Sequence, residues 1–246
     1  MTTAEKLIKL NEGVEQVAEC NEQLTQILAG TDTGAKGYYD YFWEKFFTTS
    51  RSELASIVDG VAVVNGEYFF SGKGWEDDIF KPPYPIKATY GYGMFYASGI
   101  SDTVIDVDFS KATYMTLAFS QSLIKHIKTV DLSNSAQCNR IFFYSRSIET
   151  IERIVFAEKN ASYTECFSMC EKLKNITADG IITKSISFSD SPLLTEASIR
   201  SIINCLSKDV AGQSLTLSKT AVNNAFTTDE WNSLAATRNN WTISLV

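Results

Sequence analysis

Four phenylalanines stand at a fixed interval, and that interval constrains the fold more than any other feature. "FYASGISDTV" begins at Phe95, "FSQSLIKHI" at Phe119, "FYSRSIETI" at Phe143 and "FSMCEKLKNI" at Phe167, each 24 residues after the last. One apolar residue follows within each unit (Ile100, Leu123, Ile148, Leu173) and a second a few places on (Val104, Ile127, Ile151, Ile176). A short β-like phrase comes next, as in "IDVDFS", "TVDLS" and "RIVFA". A shorter copy, "FSDSPLL" from Phe188, ends the array. A unit of this size cannot bury its own apolar edge, so neighbours must stack and share a core. The period and the Leu/Ile ladder predict a leucine-rich-repeat solenoid over 91–190 with stacked parallel strands.

The repeat also places the cysteines. Cys166 falls where other copies hold Met94, Ala118 and Phe142, and Cys170 where they hold Ser98, Ser122 and Arg146. Both are therefore expected as packing residues. The five cysteines form no disulfide framework. The sole histidine, His126, offers no second metal ligand nearby, so no metal site and no cofactor are expected. No catalytic residue is expected either. Asp77 and Asp78 are adjacent on an extended segment and would point apart, which defeats a paired-carboxylate mechanism.

Before the repeats, Leu7, Leu10, Val14, Val17, Asn21, Leu24 and Leu28 keep heptad spacing. They predict a coiled-coil oligomerisation helix over 1–30, joining two or three chains. Residues 31–90 read as an aromatic helix ("YYDYFWEKFF") followed by a β connector, with a hairpin around Asn65-Gly66. The aromatics are expected in a core or packing surface. Residues 191–246 read as a C-terminal cap of helix, strand, helix and strand, with a capping box at Thr227 and Glu230. The fold class expected is thus α+β: a coiled-coil helix, a short leucine-rich-repeat solenoid and an α/β cap.

A net charge of −7 repels phosphate backbones and argues against nucleic acid. No apolar run approaches the roughly 18 residues a membrane span needs, and no secretory signal peptide is recognisable at the start of the sequence. The sequons at Asn160, Asn175 and Asn240 are taken as chance.

The "F-x-x-(C/S)-x-x-L-x-x-I" phrase resembles that of the BspA-like leucine-rich-repeat family. The run "SIINCLS…LTLSKTAVNNAF…EWNSL…NWTISLV" and the front segment "GWEDDIFKPPYPI" resemble members from gut Firmicutes and their prophages. The resemblance implies a non-enzymatic phage tail fibre or receptor-binding protein. Its partners would be baseplate and tail proteins and a host cell-surface glycan or protein. Its location would be the virion, or the bacterial cytoplasm before assembly. A scaffold or adhesin-like role without its own ligand is the alternative. For ligand contact the polar strand positions Asp106, Asp108, Asp131 and Ser133 are the candidates.

Overall fold

The computed structural model describes Trp43, Phe46, Phe47 and residues 54–158 and 161–246. The heptad residues Leu7 to Leu28, with the whole of 1–30, lie outside the described residues. Three sheets carry the described chain. In the first, β1 (Ala55–Val58) and β2 (Val61–Asn65) form an antiparallel hairpin, to which β3 (Ile86–Tyr90) and β4 (Val107–Asp108) add in parallel. The second is all parallel: β5 (His126–Asp131), β6 (Thr150–Phe156) and β7 (Asn175–Gly180). The third joins β8 (Ile186–Phe188), β9 (Gln213–Leu217) and β10 (Trp241–Leu245), in the order β10-β9-β8 and also in parallel. Helices α1 (Glu196–Cys205), α2 (Lys219–Ala225) and α3 (Thr228–Ala236) lie near the C-terminus.

The expected fold class is corrected by this arrangement. Among the described residues the regular elements are mainly short strands in small sheets, with three short helices beside them. The strands do not run on as one sheet, and no closed solenoid forms among the described residues. The physical reason lies in unit length. Ile105 bridges Ile127, Ile127 pairs with Ile151, and Ile151 pairs with Ile176, so the strand spacing drifts away from a constant 24. Where it drifts, β4 shrinks to two residues and the ladder to β5 thins to that single bridge. Nor is the ladder leucine-rich: Leu123 is 50% exposed and Val104 44%, while Ile124 and Ile105 take the buried places. Over 191–246, β9 pairs with β8 at the end of the repeats and β10 pairs with β9.

The hairpin also moves. Asp59 (φ 50°) and Gly60 (φ 74°) turn the chain between β1 and β2, the left-handed pair a type I′ turn needs. Asn65 instead ends β2, whose next partner, β3, runs parallel. Of the aromatic segment, Trp43, Phe46 and Phe47 are described: Trp43 and Phe47 are fully buried, and Trp43 packs against Phe70, Trp75 and Phe80.

A file of phenylalanines runs through the interior. Phe70, Phe95, Phe119, Phe142, Phe167 and Phe188 stack face to face, with successive ring centroids 5.3, 5.3, 5.4, 5.2 and 4.3 Å apart. Every one is fully buried. The file holds Phe142 where strict 24-residue counting selects Phe143, which is only half-buried. It also begins one unit earlier, at Phe70. Each stacked pair adds about 0.5–1.5 kcal/mol beyond the burial of its area.

Candidate recognition surface

Beside the strands, each unit carries a column of turns, and its geometry follows from the phenylalanine file. Every second N–H reaches the next unit: Phe70 donates to the Met94 carbonyl (2.7 Å), Phe95 to Ala118 (2.7 Å), Phe119 to Ile141 (2.8 Å) and Phe142 to Cys166 (2.9 Å). The N–H groups between them bond three residues back, as Ser145 does to Phe142 (2.9 Å) and Cys170 to Phe167 (3.3 Å). This alternation demands left-handed residues four apart. Gly93 and Ala97 meet the demand in one unit, Leu117 and Gln121, Arg140 and Tyr144, and Glu165 and Met169 in the next three. Away from glycine, each such residue costs roughly 1–2 kcal/mol.

A second device ties the column together and answers what the cysteines do. The Ser145 hydroxyl donates to the Phe119 carbonyl (2.5 Å), and the Cys170 thiol donates to the Phe142 carbonyl (3.2 Å). Ser145, not Arg146, is thus the counterpart of Cys170, and Ile141, not Phe142, that of Cys166. Cys138, Cys166, Cys170 and Cys205 are free and buried. Burial pushes the Cys138 thiol up to about 12 and Cys205 to about 11, so both are protonated at neutral pH.

On the outside of the early units lies a connected strip of tyrosines. Tyr90 stacks on Tyr114 (5.4 Å), Tyr114 meets Tyr92 (5.6 Å), and Tyr68 sits edge-to-face on both Tyr92 (5.1 Å) and Tyr96 (6.0 Å). Tyr68 is 37% exposed and the other four are half-buried. Gly93 makes the close packing possible. A Cβ there would stand 2.5 Å from the Tyr68 ring, and its φ of +58° is itself left-handed. The hydrogen bond Tyr68 shares with Tyr92, then burial, push the Tyr68 hydroxyl up to about 12. Burial and the Glu67 carboxylate raise Tyr90 as well. Tyr68 and Tyr90 are therefore uncharged at physiological pH.

At its Tyr96 end the chain passes into a cleft of about 650 Å³, lined by Lys73, Glu76, Asp77, Asp78, Ala97, Ser98, Gly99, Ser101, Gln121 and Leu123. Asp77 holds one wall in place. Its carboxylate accepts the N–H groups of Ser101 (3.1 Å), Asp102 (2.9 Å) and Thr103 (2.6 Å), and the Ser101 hydroxyl (2.7 Å). Burial alone would raise its pKa, but the hydrogen bonds from Ser101 and Thr103 outweigh it and hold the carboxyl well below the usual carboxylate range. Asp78 is turned to solvent, 98% exposed, with Lys81 at 4.0 Å.

The strand-face candidates lie elsewhere and are engaged. Asp106 pairs with Lys128 (2.7 Å), and Asp108 accepts the Ser110 N–H (2.8 Å) with Lys87 at 3.7 Å. Asp131 accepts the N–H of Ser133 (2.9 Å), repeating the turn that Asp108 makes one unit earlier. His126 bonds Glu152 (2.7 Å). None of these residues shares the tyrosine strip or the cleft. The strip itself was readable in the sequence: Tyr68 and Tyr92, and Tyr90 and Tyr114, stand 24 apart. Among the described residues, no cluster of His, Cys, Asp and Glu could hold a metal ion, and no helix is long and apolar enough to cross a membrane.

Comparison with family models, with curated proteins and with solved structures finds no match. The functional reading therefore rests on this chain's own residues.

Proposed function

We propose that this protein is a non-enzymatic recognition module of the receptor-binding kind, and that its tyrosine strip binds an extended, uncharged glycan. The observation that carries the reading is the unbroken contact chain Tyr90–Tyr114–Tyr92–Tyr68–Tyr96 on the surface. Aromatic rings carry negative faces, and a pyranose presents a patch of slightly positive C–H bonds to them. The tyrosine hydroxyls and the cleft's Lys73, Glu76 and Gln121 supply hydrogen bonds at one end. Single-stranded nucleic acid also stacks on aromatic platforms, but it needs a basic groove. A chain of net charge −7 offers the opposite field and disfavours anionic polymers generally.

A glycan array, followed by titration of the strongest neutral hit, tests this reading. The double variant Tyr92→Ala/Tyr96→Ala should bind at least roughly tenfold more weakly, since removing an aromatic stacking partner costs on the order of 1–3 kcal/mol. Lys128→Ala on the strand face should bind as the wild type does. No binding of any neutral glycan by the wild type, or undiminished binding by a folded double variant, would overturn it.

A further inference from the structure

Parallel sheets leave open edges, and this molecule treats two of them differently. The outer edge of β7 is closed by helix α1. Ser198 Oγ accepts the Ile176 N–H (3.0 Å) and lies 3.1 Å from the Lys174 carbonyl. Ser201 Oγ accepts the Ala178 N–H (3.1 Å) and lies 3.2 Å from the Ile176 carbonyl. Two serines thus imitate a neighbouring strand. At the outer edge of β10 nothing comparable occurs: among the described residues β9 is its only paired strand. The segment "WTISLV" has no charge, no proline and no bulge, the devices that ordinarily protect an edge. Its core-side residues Ile243 and Leu245 remain half-buried against the core, so the last layer is incompletely covered.

We infer that the β10 edge pairs antiparallel with the β10 edge of a second copy of this chain. The sequence is self-complementary for that arrangement. A two-fold axis perpendicular to the sheet keeps core-side residues on one side. Centred on Ile243, it sets Trp241 opposite the second copy's Leu245, Ile243 opposite Ile243, and Thr242 opposite Ser244. No charge opposes another, and an uncharged edge is where two chains of net charge −7 meet at least electrostatic cost. The two three-stranded sheets become one of six strands, each chain extending the other's cover over Ile243 and Leu245.

The register gives a charge test on the full-length chain. Thr242→Lys/Ser244→Lys places like charges directly opposite each other, whereas Thr242→Lys/Ser244→Glu places opposite charges there. By light scattering after size exclusion, the Lys/Lys variant should show half the wild-type mass and the Lys/Glu variant should regain it. All three proteins are measured with Leu10→Asp and Leu24→Asp also present, so that the heptad segment cannot itself hold the copies together, and the Lys/Glu variant controls for folding. Equal masses for all three proteins, or equal loss in both variants, would overturn the inference.

Discussion

Each unit has a strand column and a turn column, and the two are held by different means. In the strand column the parallel ladder satisfies the backbone, and exposed charges pair across units: Asp102 with Lys125, Asp106 with Lys128, His126 with Glu152, Arg153 with Asp179. Those charged groups already have partners, which leaves them less available to a ligand. The turn column carries left-handed residues and relies on the phenylalanine file and the serine and cysteine bridges for its shape. Strain persists only where surroundings over-determine the backbone. That over-determined column displays Tyr68, Tyr92 and Tyr96, while Tyr90 ends β3, so most of the strip lies over the costlier scaffold.

The sharpest way to break the contrast is to remove the file at its centre. Phe119 stacks on both Phe95 and Phe142 and meets Phe109 edge-on. Phe119→Ala should cost about 3–5 kcal/mol in chemical denaturation, while Ile151→Val under the strand column should cost about 0.5–1.5 kcal/mol. A smaller loss at Phe119 than at Ile151 would mean that the turn column does not depend on its file.

Asp77 sharpens the comparison at the first unit, where its carboxylate gathers three successive N–H groups. Asp77→Asn should cost about 1–2 kcal/mol, a charge-assisted hydrogen-bond value discounted for partial exposure. The pH dependence has a definite sign. The folded pKa is depressed, so the contribution is complete above the unfolded value of about 4 and fades as pH falls towards the folded one. Denaturation midpoints of wild type and Asp77→Asn should therefore converge below about pH 4 and differ fully at pH 7.

The sequence made the stacking legible but not its bookkeeping. Phe95, Phe119 and Phe167 are legible because a stack of near-equal units brings its buried ring back at a near-constant interval. Counting failed at Phe142 because adjacent phenylalanines make a one-residue slip invisible to composition, and only the alternation of turn hydrogen bonds decides which one faces inward. The same slip exchanged Ile124 for Leu123 and Ser145 for Arg146. Phe70 was missed because its unit is preceded by the Asp59-Gly60 hairpin and interrupted by the 73–85 loop, so the period has no clean start. The α1 spacing of Ile199, Ile202 and Ile203 was legible, and all three are buried. The strand-blocking role of Ser198 and Ser201 was not, since it depends on which strand the helix meets. The tyrosine strip shows in the sequence as a 24-residue spacing, but partly exposed aromatics carry no periodic signal of burial that would mark it as a surface.

The smallest expected effect tests whether the turn column is strained at all. Gln121 is exposed, has a φ of 59°, and donates its N–H to the Phe143 carbonyl (2.9 Å). Gln121→Gly keeps that bond and removes the left-handed penalty of roughly 1–2 kcal/mol. Against this, the freer unfolded chain takes back about 0.5–1 kcal/mol. The net gain should be about 0.5–1 kcal/mol, a rise in Tm of about 1–4 °C for a chain of this size by scanning calorimetry. Gln121→Val should fall on the other side of wild type, because a β-branched residue tolerates this conformation least. A glycine variant less stable than wild type would show that the Gln121 side chain contributes more than its backbone costs, and the contrast between the two columns would then lie in packing alone.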